Sequence, residues 1–101
     1  VDLKTLEAAM HAFVASKGWY AAESLRPQTP KNLAISLALE AAEVLEHFQW
    51  GEASRHPDEL AGELADVLLY LLQLASISQV DLGQAVLDKL AHNQERTWDE
   101  D

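Results

Sequence analysis

The sequence predicts an all-α chain built as a four-helix bundle, and three observations predict it. Glycine and proline number only four and three in 101 residues. They fall between long segments rich in Ala, Leu and Glu, all strong helix formers. Apolar residues recur at three-to-four spacing, and no long alternation of β-branched residues occurs. The length corresponds to one domain spanning residues 1–101.

The first helix is expected from about Leu3 to Lys17. Leu3, Leu6, Met10, Phe13 and Val14 make its apolar stripe, Asp2 caps its start, and Gly18 follows its end. A loop follows from Trp19 to Gln28, with room for a helical turn at Ala21 to Leu25. The second helix begins at Thr29-Pro30, an N-cap followed by proline at the first helical position, and is expected to reach Trp50 before Gly51. The third is expected from Pro57 to about Ser78. Its segment Val67 to Leu74 is apolar on nearly every side, more than one 101-residue chain is expected to cover, so it predicts a dimer or a dimer of dimers. Asp81 and Gln84 form the N-cap and N3 pair of a capping box for the fourth helix, with Val86, Leu87, Leu90 and Trp98 on its apolar face.

Seventeen acidic side chains against seven Lys and Arg leave a formal charge of -10. A nucleic-acid backbone or an anionic membrane surface requires a basic stripe, and none is present. No run reaches the roughly 18 apolar residues of a membrane span, and no basic-then-apolar leader is visible. The chain has no cysteine, which excludes thiolate chemistry and is compatible with a cytoplasmic location.

The chemistry is expected at two pairs of acids. Glu40 and Glu43 lie three apart on the second helix, and Glu63 and Asp66 three apart on the third, so each helix presents two carboxylates on one face beside a core stripe. Carboxylates in that position are costly unless paired or metal-bound, and basic partners are scarce nearby. Four carboxylates would suit a hard ion, Mg²⁺ or Mn²⁺, whereas zinc would want His or Cys in the set. Glu46 extends the first series by one step and reads equally as an outer ligand or a solvated acid. The histidines at 11, 47, 56 and 92 form no ligand cluster and read as helix surface or edge. Lys89, Asn93 and Arg96 share one face of the fourth helix and could meet phosphate or sugar oxygens, as could Lys31 and Asn32 in the first turn of the second. Tyr70 shares a face with Asp66, and with Trp50 and Trp19 it offers aromatic surface for a nucleobase. Phe48 reads as core, and Arg55 in the connector as plain surface.

These pieces resemble the MazG-like all-α nucleotide pyrophosphohydrolases, in particular the small single-domain branch that includes dCTP pyrophosphatases. The resemblance rests on Thr29 to Ala34, Glu40 to Trp50, Glu63 to Tyr70, and Asp81-Leu82 followed by Ala85, Val86, Lys89, Leu90, Asn93 and Arg96, in order across residues 28–98. It implies Mg²⁺-dependent hydrolysis of a (deoxy)nucleoside triphosphate to monophosphate and pyrophosphate in nucleotide-pool house-cleaning, with dCTP or modified pyrimidine nucleotides as candidate substrates. It implies metal ligation by Glu40, Glu43, Glu63 and Asp66, with Glu43 favoured as the general base. It also implies homodimers or homotetramers whose sites draw on more than one subunit, with Trp50 stacking on the base. Three features depart from the pattern: the loop from Tyr20 to Pro27 is longer, with Pro27 where an aromatic often sits, and two single positions differ. Leu39 stands where the wider family often has a second Glu, and Gln28 where this branch often carries His on the side facing base or sugar. The alternative reading is a non-catalytic helical nucleotide-binding or protein-interaction module.

Overall fold

The structure is a computed structural model and describes residues 1–96. Four helices follow in order: α1 (Leu3–Ser16), α2 (Pro30–Glu46), α3 (Pro57–Ile77) and α4 (Leu82–Glu95). Among the described residues there is no strand. Trp98, expected on the apolar face of the fourth helix, lies outside the described residues.

Three helices start where their caps predict. The Asp2 carboxylate accepts from the Thr5 amide at 2.8 Å, the Thr29 hydroxyl from Asn32 at 3.2 Å, and Asp81 from Gln84 at 3.1 Å. Each satisfies an amide that the helix itself leaves without a partner. The capping box at α4 is half formed, because the Gln84 side chain turns away to donate to Asp88 at 2.9 Å. Gly18 takes φ +74°, the left-handed conformation that lets the chain leave α1. The segment 21–25 forms a turn, closed by Ser24 donating to the Ala21 carbonyl, and no helix.

Two helix ends differ from expectation for tertiary reasons. α2 stops at Glu46 and not at Trp50, because residues 47–49 donate to carbonyls three back, which tightens the chain into turns. That tightening accompanies His47, whose ring turns inward to Ser54 and Glu63. α3 ends without a glycine. Gln79 adopts φ 61°, with Val80 donating to Ala75 and Gln79 to Ser76, the paired bonds of a Schellman closure.

α3 is the central element. It packs most extensively on α2, less on α1 and least on α4. Met10 and Val14 of α1 meet Leu72 of α3, with Leu3, Leu6, Trp19 and Leu82 packed around them. Leu72 is therefore covered within one chain, contrary to the expectation that the whole Val67–Leu74 segment needs a partner. Within that segment Leu68, Leu69 and Leu71 stay partly exposed, as does Leu64 one turn before it. α4 buries no residue, and Val86, Leu87 and Leu90 face outward. The radius of gyration is 16.4 Å, against about 13 Å for a compact domain of this length. By length and composition α3 is apolar enough to cross a membrane, with a mean hydropathy of 1.5, which a count of uninterrupted apolar residues does not reveal. It carries Glu63 and Asp66 and packs on three other helices.

The uneven burial predicts uneven sensitivity. Leu72→Ala, at a fully buried site, should lower unfolding free energy by about 2–5 kcal/mol. Leu25→Ala, in the exposed loop, should change it by no more than about 0.5 kcal/mol. Denaturant unfolding followed by circular dichroism measures both.

Candidate active site

The tight pairing of α2 with α3 brings the two acid pairs together. Glu40 is half-buried, and its Oε2 is shut off from solvent with no hydrogen-bond partner among the described residues. Its pKa is raised above the ordinary glutamate value. Burial is the largest cause, followed by the hydrogen bond and charge of Glu43, then the charges of Asp66 and Glu63. The four expected carboxylates thus act on one centre. They do not stand as a finished cage, for among the described residues no three His, Asp or Glu side chains are gathered as ion ligands. Glu40 and Asp66 line one cavity, while Glu43 and Glu63 face a neighbouring groove.

One oxygen of Glu63 is already engaged. His47 is buried, and its Nε2 meets Glu63 Oε2 while its Nδ1 stands 2.9 Å from the Ser54 hydroxyl. His47 is therefore not a surface histidine. Its position four residues after Glu43, on the same helical face, was the available signal, but Ser54 and Glu63 reach it from beyond the α2 end. His11 is also drawn in, with Nδ1 2.6 Å from the Tyr20 hydroxyl and Nε2 2.7 Å from Ser76 Oγ. His56 and His92 are exposed, as expected.

The larger cavity encloses about 550 Å³ between α1, the 19–28 loop, α2 and α3. Trp19, Gln28, Asn32 and Tyr70, four of the expected substrate residues, line it together with Glu40 and Asp66. Asn32 is held by its side-chain donation to the Pro27 carbonyl at 3.0 Å. Arg26 lies over the Trp19 ring at 4.5 Å, and Phe13 meets Trp19 edge-on, so the indole is fixed from two sides. Gln73, absent from the expected set, is buried in the same wall. It follows Asp66 by seven residues and Tyr70 by three, a spacing that puts all three on one helical face.

The remaining expected residues are not brought to this cavity within one chain. Trp50 is 75% exposed and borders the neighbouring groove of about 270 Å³, with His47, Arg55, His56 and Glu59. Arg55 thus belongs to a groove edge and is not plain surface. Phe48, expected in the core, is 38% exposed. Lys31 is exposed at the start of α2, and Lys89, Asn93 and Arg96 on α4 line neither cavity.

Residues 28–98 match the model of the MazG nucleotide pyrophosphohydrolase domain. The mouse dCTP pyrophosphatase 1 (Mus musculus) is 38% identical over 97 residues, an alignment covering 86% of this chain and 54% of that protein. The human protein of the same name (Homo sapiens) is 37% identical with the same coverage. The chain therefore spans about half the length of the curated relatives it matches. The crystal structure of a pyrophosphatase from Archaeoglobus fulgidus superimposes with a TM-score of 0.77 at 37% identity, covering 91% of this chain and 88% of that one. A four-helix fold with two same-face carboxylate pairs on its central helices, matched over most of its length, places this chain in the MazG nucleotide pyrophosphohydrolase family.

Proposed function

We propose that this chain hydrolyses (deoxy)nucleoside triphosphates between the α and β phosphates, releasing the monophosphate and pyrophosphate. The observation that carries the reading is the Glu40 carboxylate, with one oxygen buried and unpartnered, among three like charges at the end of a cavity the size of a small ligand. That donor set fits a divalent cation, since oxygen ligands and a strong negative field suit a hard ion, and Mg²⁺, with Mn²⁺ as substitute, is the proposed cofactor. Glu40, Glu43, Glu63 and Asp66 would hold it. When bound, the ion offsets the charge between carboxylates and triphosphate, polarises the phosphoryl oxygens and acidifies a water.

The chain's own residues supply the rest. Glu43 is solvent-exposed one helical turn from Glu40 on α2, a position from which it accepts the proton of the attacking water. His47 holds one Glu63 oxygen and leaves the other for ligation. Trp19 and Tyr70 take the base in the cavity, where Gln28, expected at the base, lines the wall with its amide engaged by Arg26 and Gln73, and Asn32 lies on the sugar side. Lys31, Lys89, Asn93, Arg96 and Trp50 serve the phosphates and base from a second copy of the chain, because within one chain they stand outside the cavity. The substrate is a (deoxy)nucleoside triphosphate, with dCTP as the reading the relatives' names support and a modified pyrimidine nucleotide as the alternative.

Incubation with each natural triphosphate plus Mg²⁺, followed by ion-exchange chromatography, should give monophosphate and pyrophosphate. Diphosphate and orthophosphate would contradict the bond assignment, and binding without turnover would favour a non-catalytic module. Glu43→Gln and Asp66→Asn should each cut turnover at least about a hundredfold while circular dichroism shows the fold retained.

The raised Glu40 pKa fixes the sign of a stability effect. Without metal, its contribution is fully present below the ordinary value of 4.5 and is lost as pH rises through the higher folded-state value. Mg²⁺ should therefore raise Tm little in acid and progressively more as pH rises. Glu40→Gln should raise the metal-free Tm at neutral pH and abolish most of the Mg²⁺ increment. Thermal scans in EDTA and in Mg²⁺ decide this.

Outward-facing Leu64, Leu68, Val86, Leu87 and Leu90 support assembly as a dimer or tetramer. Sedimentation equilibrium at micromolar concentration should give at least twice the 11.2 kDa chain mass. A Leu68→Glu, Leu87→Glu double variant should lower that mass and the activity together, with every carboxylate still present.

A further inference from the structure

Gln73 is 3% exposed in the middle of α3, and a buried primary amide must place two donors and an acceptor. Its Nε2 donates to Gln28 Oε1 at 2.8 Å and to the Tyr20 hydroxyl at 3.2 Å, which uses both hydrogens. The direction of this pairing is set from outside. Gln28 Nε2 donates to the Arg26 backbone carbonyl at 2.6 Å, and a carbonyl can only accept. Gln28 must therefore turn its oxygen to Gln73, and Gln73 must answer with its nitrogen. The Tyr20 hydroxyl is in turn placed by His11 Nδ1 at 2.6 Å. The Gln73 amide is thus locked in one orientation by a loop and two helices.

One atom is left over. Gln73 Oε1 accepts no hydrogen bond among the described residues, while the side chain lines the 550 Å³ cavity on the same helical face as Asp66 and Tyr70. Seven residues of α-helix separate it from Asp66, about 10 Å along the axis. The cavity thus has carboxylates at one end and, in its wall, a fixed acceptor open to the cavity and used by no donor of the described residues. Once a bound ligand shuts that acceptor off from water, a ligand donor satisfies it, whereas a ligand carbonyl leaves it unpaired and repelled.

We propose that Gln73, oriented by Gln28, is a specificity-determining residue that reads the nucleobase through its amide oxygen. It selects bases presenting an exocyclic amino group, such as cytosine, over those presenting a carbonyl at the same edge, such as uracil or thymine. This rests on the nucleotide reading above and concerns only the base edge.

The test compares dCMP with dUMP, which differ at that edge, by calorimetric titration of the full chain with Mg²⁺, and dCTP with dUTP by kcat/KM. The amino-bearing partner should win by about ten- to a hundredfold in each. Gln28→Leu, in the loop, leaves Gln73 in place but removes the partner that sets its direction, and the ratio should fall toward one. Gln73→Met should do the same, and a thermal scan reports whether the fold tolerates it. Equal affinity for the two mononucleotides, a preference for uracil, binding of neither, or a cytosine preference unchanged in Gln28→Leu would each overturn the inference. Mononucleotide binding needs no turnover, so a failure of hydrolysis leaves this comparison decisive, and a failed base preference leaves the hydrolysis assignment standing.

Discussion

Repulsion among four carboxylates across the α2–α3 interface is the constraint on which the rest of this structure depends. Glu40 lies on α2, the helix that packs most extensively on α3, with an oxygen that meets neither solvent nor a donor among the described residues. Burial and like charge both disfavour its ionised form, and among the described residues no basic side chain is joined to it in an ion pair. A fold optimised for stability alone would place an apolar residue there, since a buried charge left uncompensated costs several kcal/mol. The same arrangement becomes favourable when a dication occupies the common field, and binding free energy then adds to folding free energy. The site stores a deficit that its ligand relieves.

That deficit is carried by a thin core. Among the described residues Met10, Val14, Leu33, Leu72 and Ala75 are the buried apolar side chains, while α4 lies open and much of α3 is partly wet. α3 serves both ends of this account. One face holds Leu72 against α1, another presents Asp66, Tyr70 and Gln73 to the cavity, and a third leaves Leu64 and Leu68 outward. Core packing, cavity lining and an outward apolar face therefore converge on one 21-residue helix, and a substitution there moves more than one property.

What was legible in the sequence was local. The cap residues Asp2, Thr29 and Asp81 mark three helix starts because a cap acts within three residues of itself. The acid pairs at 40/43 and 63/66 were legible because i,i+3 spacing decides a helical face without tertiary information. What depended on distant partners was not. His47 ends α2 early and leaves the surface because Ser54 and Glu63 reach it, the latter 16 residues on. Gln73 looked like one polar break in an apolar run, and its partners Tyr20 and Gln28 lie 53 and 45 residues away. Gln79 closes α3 in a conformation that sequence reading assigns to glycine. Trp50 and the α4 side chains share a face or motif with site residues yet sit outside the cavity in one chain, a placement that spacing along a helix does not report.

The central claim is that Glu40 is a destabilised carboxyl awaiting a cation, and it can be observed at that atom. The carboxyl carbon of ¹³C-labelled glutamate, assigned to Glu40 by comparison with Glu40→Gln, can be titrated by NMR without metal and again with Mg²⁺. The account predicts a metal-free midpoint above the ordinary glutamate range, and a marked fall of that midpoint when Mg²⁺ is present. A Glu40 signal that titrates within the ordinary glutamate range, and that Mg²⁺ leaves unmoved, would contradict it.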